Sequence, residues 1–273
     1  MAEKLFNVNV IIEGKAEEVI PTFPENSVDL IVTSPPYYGA KMWRSLWVNM
    51  GFRENKDEIE TEDEFEKVSS WLSDIWRKCF RVLRPAGHLV INTTDVPLGS
   101  TGLYWNSGRA IIDCKKIGFF WREYIIWDKV GKAHLSPGGS APRPCGILIC
   151  YNTEYLLVFQ KPGQRDYSDL PEEIIEQSKL TYRECRWMDT NVWRILPARG
   201  QKRTSHIAPF PEDIPYRLIK LYSYIGDIVL DPFVGSGTTC IVAKELKRKY
   251  IGIDNNKKYV KIAKNRLREE FLF

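Results

Sequence analysis

The stretch Ile228-Val229-Leu230-Asp231-Pro232-Phe233-Val234-Gly235-Ser236-Gly237-Thr238-Thr239 decides the fold. Its first four residues are a short apolar run closed by an acid, the pattern of a buried parallel strand. A glycine-bearing turn follows at once and leads into a helical run from Ser236 to Leu246. Glycines at a strand-to-helix turn let the backbone approach a ligand closely, and the helix N-terminus offers unpaired N–H groups. The next apolar run, Tyr250 to Asp254, ends in Gly252-Ile253-Asp254. An acid there can accept hydrogen bonds from both hydroxyls of a ribose. A nucleotide-hydrolysing phosphate loop would need Gly-Lys-Ser/Thr, whereas Gly237 is followed by Thr238-Thr239. The plainer alternative is a tight turn with Asp254 as the N-cap of the following helix.

Working outward, Val28-Asp29-Leu30-Ile31-Val32-Thr33 reads as a second buried strand, and Ser34-Pro35-Pro36-Tyr37 follows it directly. Open α/β sheets bind ligands at the carboxyl ends of their strands, so both loops lie where a site is expected. Paired prolines stiffen such a loop, although the same tetrapeptide also serves as an ordinary turn. Asn7 to Ile12 forms an earlier strand. From Tyr38 to Glu60 the pattern is irregular and aromatic, which suggests a loop lying over a site. Thr61 with Glu64 makes a capping box, and Phe65, Val68, Leu72, Ile75, Cys79 and Val82 recur at helical spacing. A strand His88 to Asn92, a helix Arg109 to Lys116 and a strand Phe119 to Trp127 come next.

Between Asp128 and Arg203 the regularity weakens, with one clear strand, Glu154 to Gln160, and a Pro/Gly-rich run at 136–144. Alternation then returns with a helix from about Asp213 to Ser223, the quoted strand and helix, the strand Tyr250 to Asp254 and a last helix from Asn256. The expectation is an α/β fold: a doubly wound, mostly parallel sheet interrupted by an insert. Its divisions fall at 1–128, 129–203 and 204–273.

At 273 residues, with 27% charged and 44% hydrophobic residues, the composition is that of a globular chain without a bilayer-spanning stretch. Met1 to Phe6 shows neither a basic leader with an apolar core nor a small-residue cleavage site, so a cytoplasmic protein without a membrane partner is expected. The six cysteines include no C-x-x-C pair and the three histidines stand far apart, which gives no metal-site pattern. A net charge of +4 does not select a partner. The local cluster Arg199, Lys202 and Arg203 fits either phosphate contact or a solvated face.

Taken together, Thr33-Ser34-Pro35-Pro36-Tyr37 and the Asp231–Thr239 loop resemble the two motifs of amino-methylating DNA methyltransferases. The order of catalytic loop, insert and cofactor loop is that of the permuted beta class. Resemblance implies a Rossmann-like fold and S-adenosyl-L-methionine as the cofactor. It assigns Asp231, Phe233, Gly235, Ser236, Gly237 and Thr238 to the methionine and adenosine side, and Asp254 to the ribose. His206-Ile207-Ala208-Pro209-Phe210-Pro211 is similar to the element that closes over the methionine tail, with Ile207 where the family has proline.

A base amine is a poor nucleophile because its lone pair is delocalised into the ring. The resemblance implies that Ser34 and the Pro35 carbonyl accept its two hydrogens, that Pro36 helps to fix the loop, and that Tyr37 stacks on the extrahelical base. Serine at this position is typical of cytosine N4 methylation and aspartate of adenine N6 methylation, so cytosine is favoured and adenine stays open. The insert then reads duplex DNA, with Arg199, Lys202 and Arg203 as DNA contacts. A restriction-modification or host-marking role is implied. A cognate endonuclease and a homodimer are the partners it leaves open. Three rival readings are RNA or protein methylation, a non-catalytic DNA-binding subunit, and a carbon-5 mechanism through Pro144-Cys145.

Overall fold

The computed structural model describes residues 6–54, 61–97, 102–130, 138–139, 147–149, 151–168, 170–198 and 211–269. Eight strands make the main sheet: β1 (Val10–Glu13), β2 (Val28–Thr33), β3 (Leu83–Thr93), β4 (Phe120–Asp128), β5 (Thr153–Gln160), β6 (Val192–Arg194), β7 (Ile228–Asp231) and β8 (Lys249–Asp254). Their order is β1-β8-β7-β2-β3-β5-β4-β6. Only β5 runs against its neighbours, β3 and β4; every other pairing in the sheet is parallel.

Alternate residues of the central strands enter opposite cores, as the two-residue period of a strand requires. Ile31, Leu89, Leu157, Leu230 and Ile251 face one side. There they meet Ile75, Trp76, Cys79 and Val82 of helix α3 (Glu62–Val82) and Cys114 of helix α4 (Asn106–Ile117). Leu30, Val32, Val90, Val158 and Val229 face the other. Those pack on Ile214, Leu218 and Ile219 of helix α7 (Asp213–Tyr222) and on Val242 and Ala243 of helix α8 (Thr238–Glu245). A sheet covered on both faces needs strands that are apolar throughout, and β2 and β7 are buried at every position. Short helices α1 (Ala16–Val19), α5 (Glu172–Ser178) and α6 (Tyr182–Met188) and the last helix α9 (Lys257–Glu269) are further helices among the described residues.

Two expectations change. The segment after the Ser34 loop is not wholly irregular, because Arg44–Asn49 forms helix α2. Trp43, Leu46, Trp47 and Met50 have helical spacing, and Trp47 is fully buried beside Tyr38, Phe65 and Val68. Burying such a side chain contributes up to about 3 kcal/mol, less the cost of its unpartnered Nε1, and seats the segment on α3. Glu64 of the expected capping box fastens it further by accepting from Tyr38 Oη and, at 3.0 Å, from Arg53 Nη1.

The second change concerns 129–203. Both β5 and β6 come from this region yet belong to the main sheet, with β5 fully inside it between β3 and β4. Through its described strands the region thus extends the main sheet. Arg217 of α7 also ties it down, its guanidinium lying 3.8 Å from the Trp187 ring centroid and 5.0 Å from that of Trp193.

Candidate functional site

Strand β7 returns through α8 to β8 on one side, while β2 continues through α3 to β3 on the other. The sheet therefore reverses direction between β7 and β2, and a crevice opens at their carboxyl ends. The two strands are parallel neighbours, with Leu230 opposite Ile31. Just beyond that register, Thr33 Oγ1 donates to Asp231 Oδ1 at 2.8 Å. This bond joins the two motif loops at their roots.

Asp231 is 1% exposed and accepts twice more: Phe233 N at 3.0 Å on Oδ1 and Thr239 Oγ1 at 2.7 Å on Oδ2. Burial pushes its carboxyl up to about 6, against the pull of the Thr239, Thr33 and Phe233 hydrogen bonds. Asp231 does not line the cavity, but it holds Phe233 and Thr239, which do. Gly237 is also out of the cavity wall; its backbone is left-handed at φ 91°, and a Cβ there would sit 2.9 Å from Ala263 Cβ. Glycine is needed at this point because α8 must start hard against α9.

A cavity of about 560 Å³ spans the crevice, within the range of small-molecule sites. Ser34, Pro36 and Tyr37 line it from one loop, and Phe233, Gly235, Ser236 and Thr238 from the other. Asp254 closes the far end with Asn256 and Tyr259. Ser45, Leu46 and Asn49 of the segment Arg44–Asn49, with Met42 and Trp43 of the turn before it, add to its wall. Pro35 is buried behind the loop and faces a smaller void instead.

Asp254 Oδ2 accepts from Gly235 N at 3.0 Å and Oδ1 from Asn256 N at 2.7 Å. The acid therefore braces the glycine turn and caps the next turn while keeping a second lone pair on each oxygen. Burial raises its pKa, and the two backbone N–H groups oppose that rise.

Among the cavity residues not singled out as site residues from the sequence are Asn92, Glu154 and Lys129. Asn92, at the carboxyl end of β3, donates through Nδ2 to Glu154 Oε2 at 2.7 Å and to Ser34 Oγ at 3.3 Å. Glu154 is paired in turn with Lys129 Nζ. Asn92 could have been found as a polar residue ending a buried strand, like Asp231 and Asp254. Glu154 could not, because it reaches the site only through the antiparallel pairing of β5. Burial raises the Tyr37 pKa, as does the nearby charge of Glu154. Arg199, Lys202, Arg203, Pro209 and Phe210 lie outside the described residues, as does Cys145.

A cavity of this size at the switch point, lined by the acid that ends β8 and by the proline-bearing loop that follows β2, fits the Rossmann-like methyltransferase class. The family model described as DNA methylase matches residues 28–265, and the chain belongs to this family of S-adenosyl-L-methionine-dependent DNA methyltransferases. The type II methyltransferase M.MjaI of Methanocaldococcus jannaschii is 34% identical, covering 94% of this chain and 90% of its own. The DNA adenine methyltransferase YhdJ of Escherichia coli is 30% identical, covering 94% and 82%. A DNA modification methylase from Thermus thermophilus, solved in complex with S-adenosyl-L-methionine, superposes with a TM-score of 0.76 at 30% identity, covering 96% and 93%. Among the described residues no helix is long and apolar enough to cross a membrane.

Proposed function

We propose that the chain transfers a methyl group to the exocyclic N4 of a cytosine turned out of duplex DNA. The observation that carries this reading is the 2.8 Å bond between Thr33 and Asp231, because it ties an amine-binding loop and a nucleoside-binding loop into one cavity. Bound S-adenosyl-L-methionine supplies an electrophilic methyl group. The residues present suit it: Asp254 has free lone pairs for ribose hydroxyls, Phe233 and Tyr259 offer apolar walls, and the Gly235–Thr238 turn has small residues where a ligand must come close.

Ser34 accepts a hydrogen from the target amine, and the Pro35 carbonyl serves as the acceptor contributed by the backbone. Such preorganised dipoles help the nitrogen to become tetrahedral as it attacks. Pro36 stiffens the loop, and Tyr37 stacks on the base and excludes water. Asp231 and Gly237 act by shaping the cofactor loop, while Ser236 and Thr238 face the ligand. Pro209 and Phe210 cover the methionine end. Residues 129–203 select the DNA site, with Arg199, Lys202 and Arg203 on phosphates. The biological role is restriction-modification or host marking, with a cognate endonuclease and a second copy of the chain as the partners to test.

Serine at position 34 favours cytosine. Adenine N6 is the second reading, because a relative with 30% identity is named an adenine methyltransferase. The test is mass spectrometry of nucleosides from host DNA after expression of the protein in a strain without amino-methylated bases. N4-methylcytosine supports the proposal, N6-methyladenine replaces the base assignment, and neither product refutes DNA methylation at this site.

A further inference from the structure

Asn92 is 4% exposed and lines the same cavity as Ser34. Its two amide hydrogens have two acceptors, Glu154 Oε2 at 2.7 Å and Ser34 Oγ at 3.3 Å. Its carbonyl oxygen, Oδ1, is buried and has no hydrogen-bond partner. A buried acceptor left unpaired costs about 1–3 kcal/mol, and among the unpaired buried atoms of the described residues this one is bonded, through its own amide, to Ser34 of the cavity wall, so a ligand held there can supply its partner.

The amide cannot relieve this by turning over. Glu154 is 7% exposed, and its carboxylate, paired with Lys129, can only accept. It therefore keeps Nδ2 on its own side. The donor that Asn92 sends to Ser34 also occupies one lone pair of that hydroxyl, leaving the other lone pair for a ligand. Two acceptors, Ser34 Oγ and Asn92 Oδ1, thus belong to one hydrogen-bonded pair of residues that both line the cavity.

We infer that Asn92 Oδ1 accepts a hydrogen from the exocyclic amine of the target base, making Asn92 a catalytic residue beside Ser34, with Glu154 as the positioning residue that sets its amide. The inference rests on the reading that the Ser34 loop grips the amine. It is indifferent to whether that amine belongs to cytosine or adenine, since each carries two hydrogens.

Initial-rate methylation of unmodified phage DNA with labelled S-adenosyl-L-methionine tests it, alongside calorimetric cofactor affinity and thermal melting. Asn92→Ala is expected to lower kcat on the order of a hundredfold while KM for DNA and Kd for the cofactor stay within about threefold. The double variant Asn92→Asp/Glu154→Gln reverses the donor between the two positions and still presents an acceptor to the cavity. It is expected to recover to within about tenfold of wild type, which a merely structural role would not produce. The inference is overturned by near wild-type kcat in Asn92→Ala, by a loss carried in KM or cofactor affinity, or by a folded double variant no faster than Asn92→Ala. Should Asn92→Ala fail to fold, the double variant decides alone. A parallel Ser34→Ala variant separates the two failures: normal turnover there defeats the reading of the loop, whereas a slow Ser34→Ala with a normal Asn92→Ala defeats this inference only.

Discussion

Replacing Thr33 by valine removes the hydroxyl that joins the two loops while keeping the shape of the side chain. Thr33 is 1% exposed, and its partner Asp231 retains the bonds from Thr239 and Phe233. A hydrogen bond to a buried carboxylate contributes about 1.5–3 kcal/mol, so near pH 7.5 Thr33→Val should cost about 2 kcal/mol. For a chain of this length that lowers the melting temperature by about 4–8 °C.

The cost should depend on pH. Asp231 has a folded pKa near 6 against 3.8 for the free group, so the folded state holds its proton more firmly. Stability from this group is therefore present at low pH and declines as pH rises from 3.8 through 6. Loss of the Thr33 bond, which favours the charged form, raises the folded pKa further, by about one unit for 1.4 kcal/mol. The penalty of Thr33→Val must then grow between about pH 6 and 7, and shrink to about 1 kcal/mol at pH 5, where the carboxyl is already protonated in both proteins. Calorimetric melting of both proteins at pH 5.0 and 7.5 measures the difference directly, and titration of other groups cancels between them. An equal loss at both values, or no loss at 7.5, would refute the account of Asp231 as the charged strut between the loops.

Ser34→Ala should keep cofactor affinity within about threefold and slow methyl transfer at least a hundredfold in single-turnover assays; a rate near wild type removes Ser34 from the chemistry. Asp254→Ala should weaken cofactor binding first. In the wild type, because burial raises the Asp254 pKa, affinity should fade on acidification at a higher pH than an ordinary aspartate would dictate. A flat calorimetric profile through that region contradicts a charged ribose acceptor. His88 stacks on Tyr222 at 4.6 Å between centroids, and burial, aided by the charge of Arg122, pushes its pKa down to about 4 from 6.5. The unfolded chain then binds the proton first, so stability falls as pH drops from 6.5 to 4, by up to about 3 kcal/mol. His88→Phe should remove that share of acid sensitivity in denaturant titrations, and an unchanged pH dependence would count against it.

Much of the architecture was legible because its signals are local. Thr61 and Glu64 marked the start of α3, the apolar runs ending at Thr33 and Asp231 marked β2 and β7, and Gly252-Ile253-Asp254 marked the end of β8. The spacing of Trp43, Leu46, Trp47 and Met50 also carried α2, but the surrounding aromatics masked it as a loop. Strand β5 was recognised as a strand and misjudged in its place, since an apolar run reports burial and says nothing of which neighbour it pairs with.

By itself, then, the sequence determined the succession of strands and helices, the two ligand loops and the residue types they offer, because backbone period, turn chemistry and caps act over a few residues. Only the tertiary structure decided that Thr33 bonds Asp231 across 198 positions, that Asp231 holds the cavity residues Phe233 and Thr239, and that Asn92 links Ser34 to the Glu154–Lys129 pair. Those pairings depend on strand order and on the antiparallel entry of β5. Both are settled when distant apolar faces share one core, and no short window of residues contains that information.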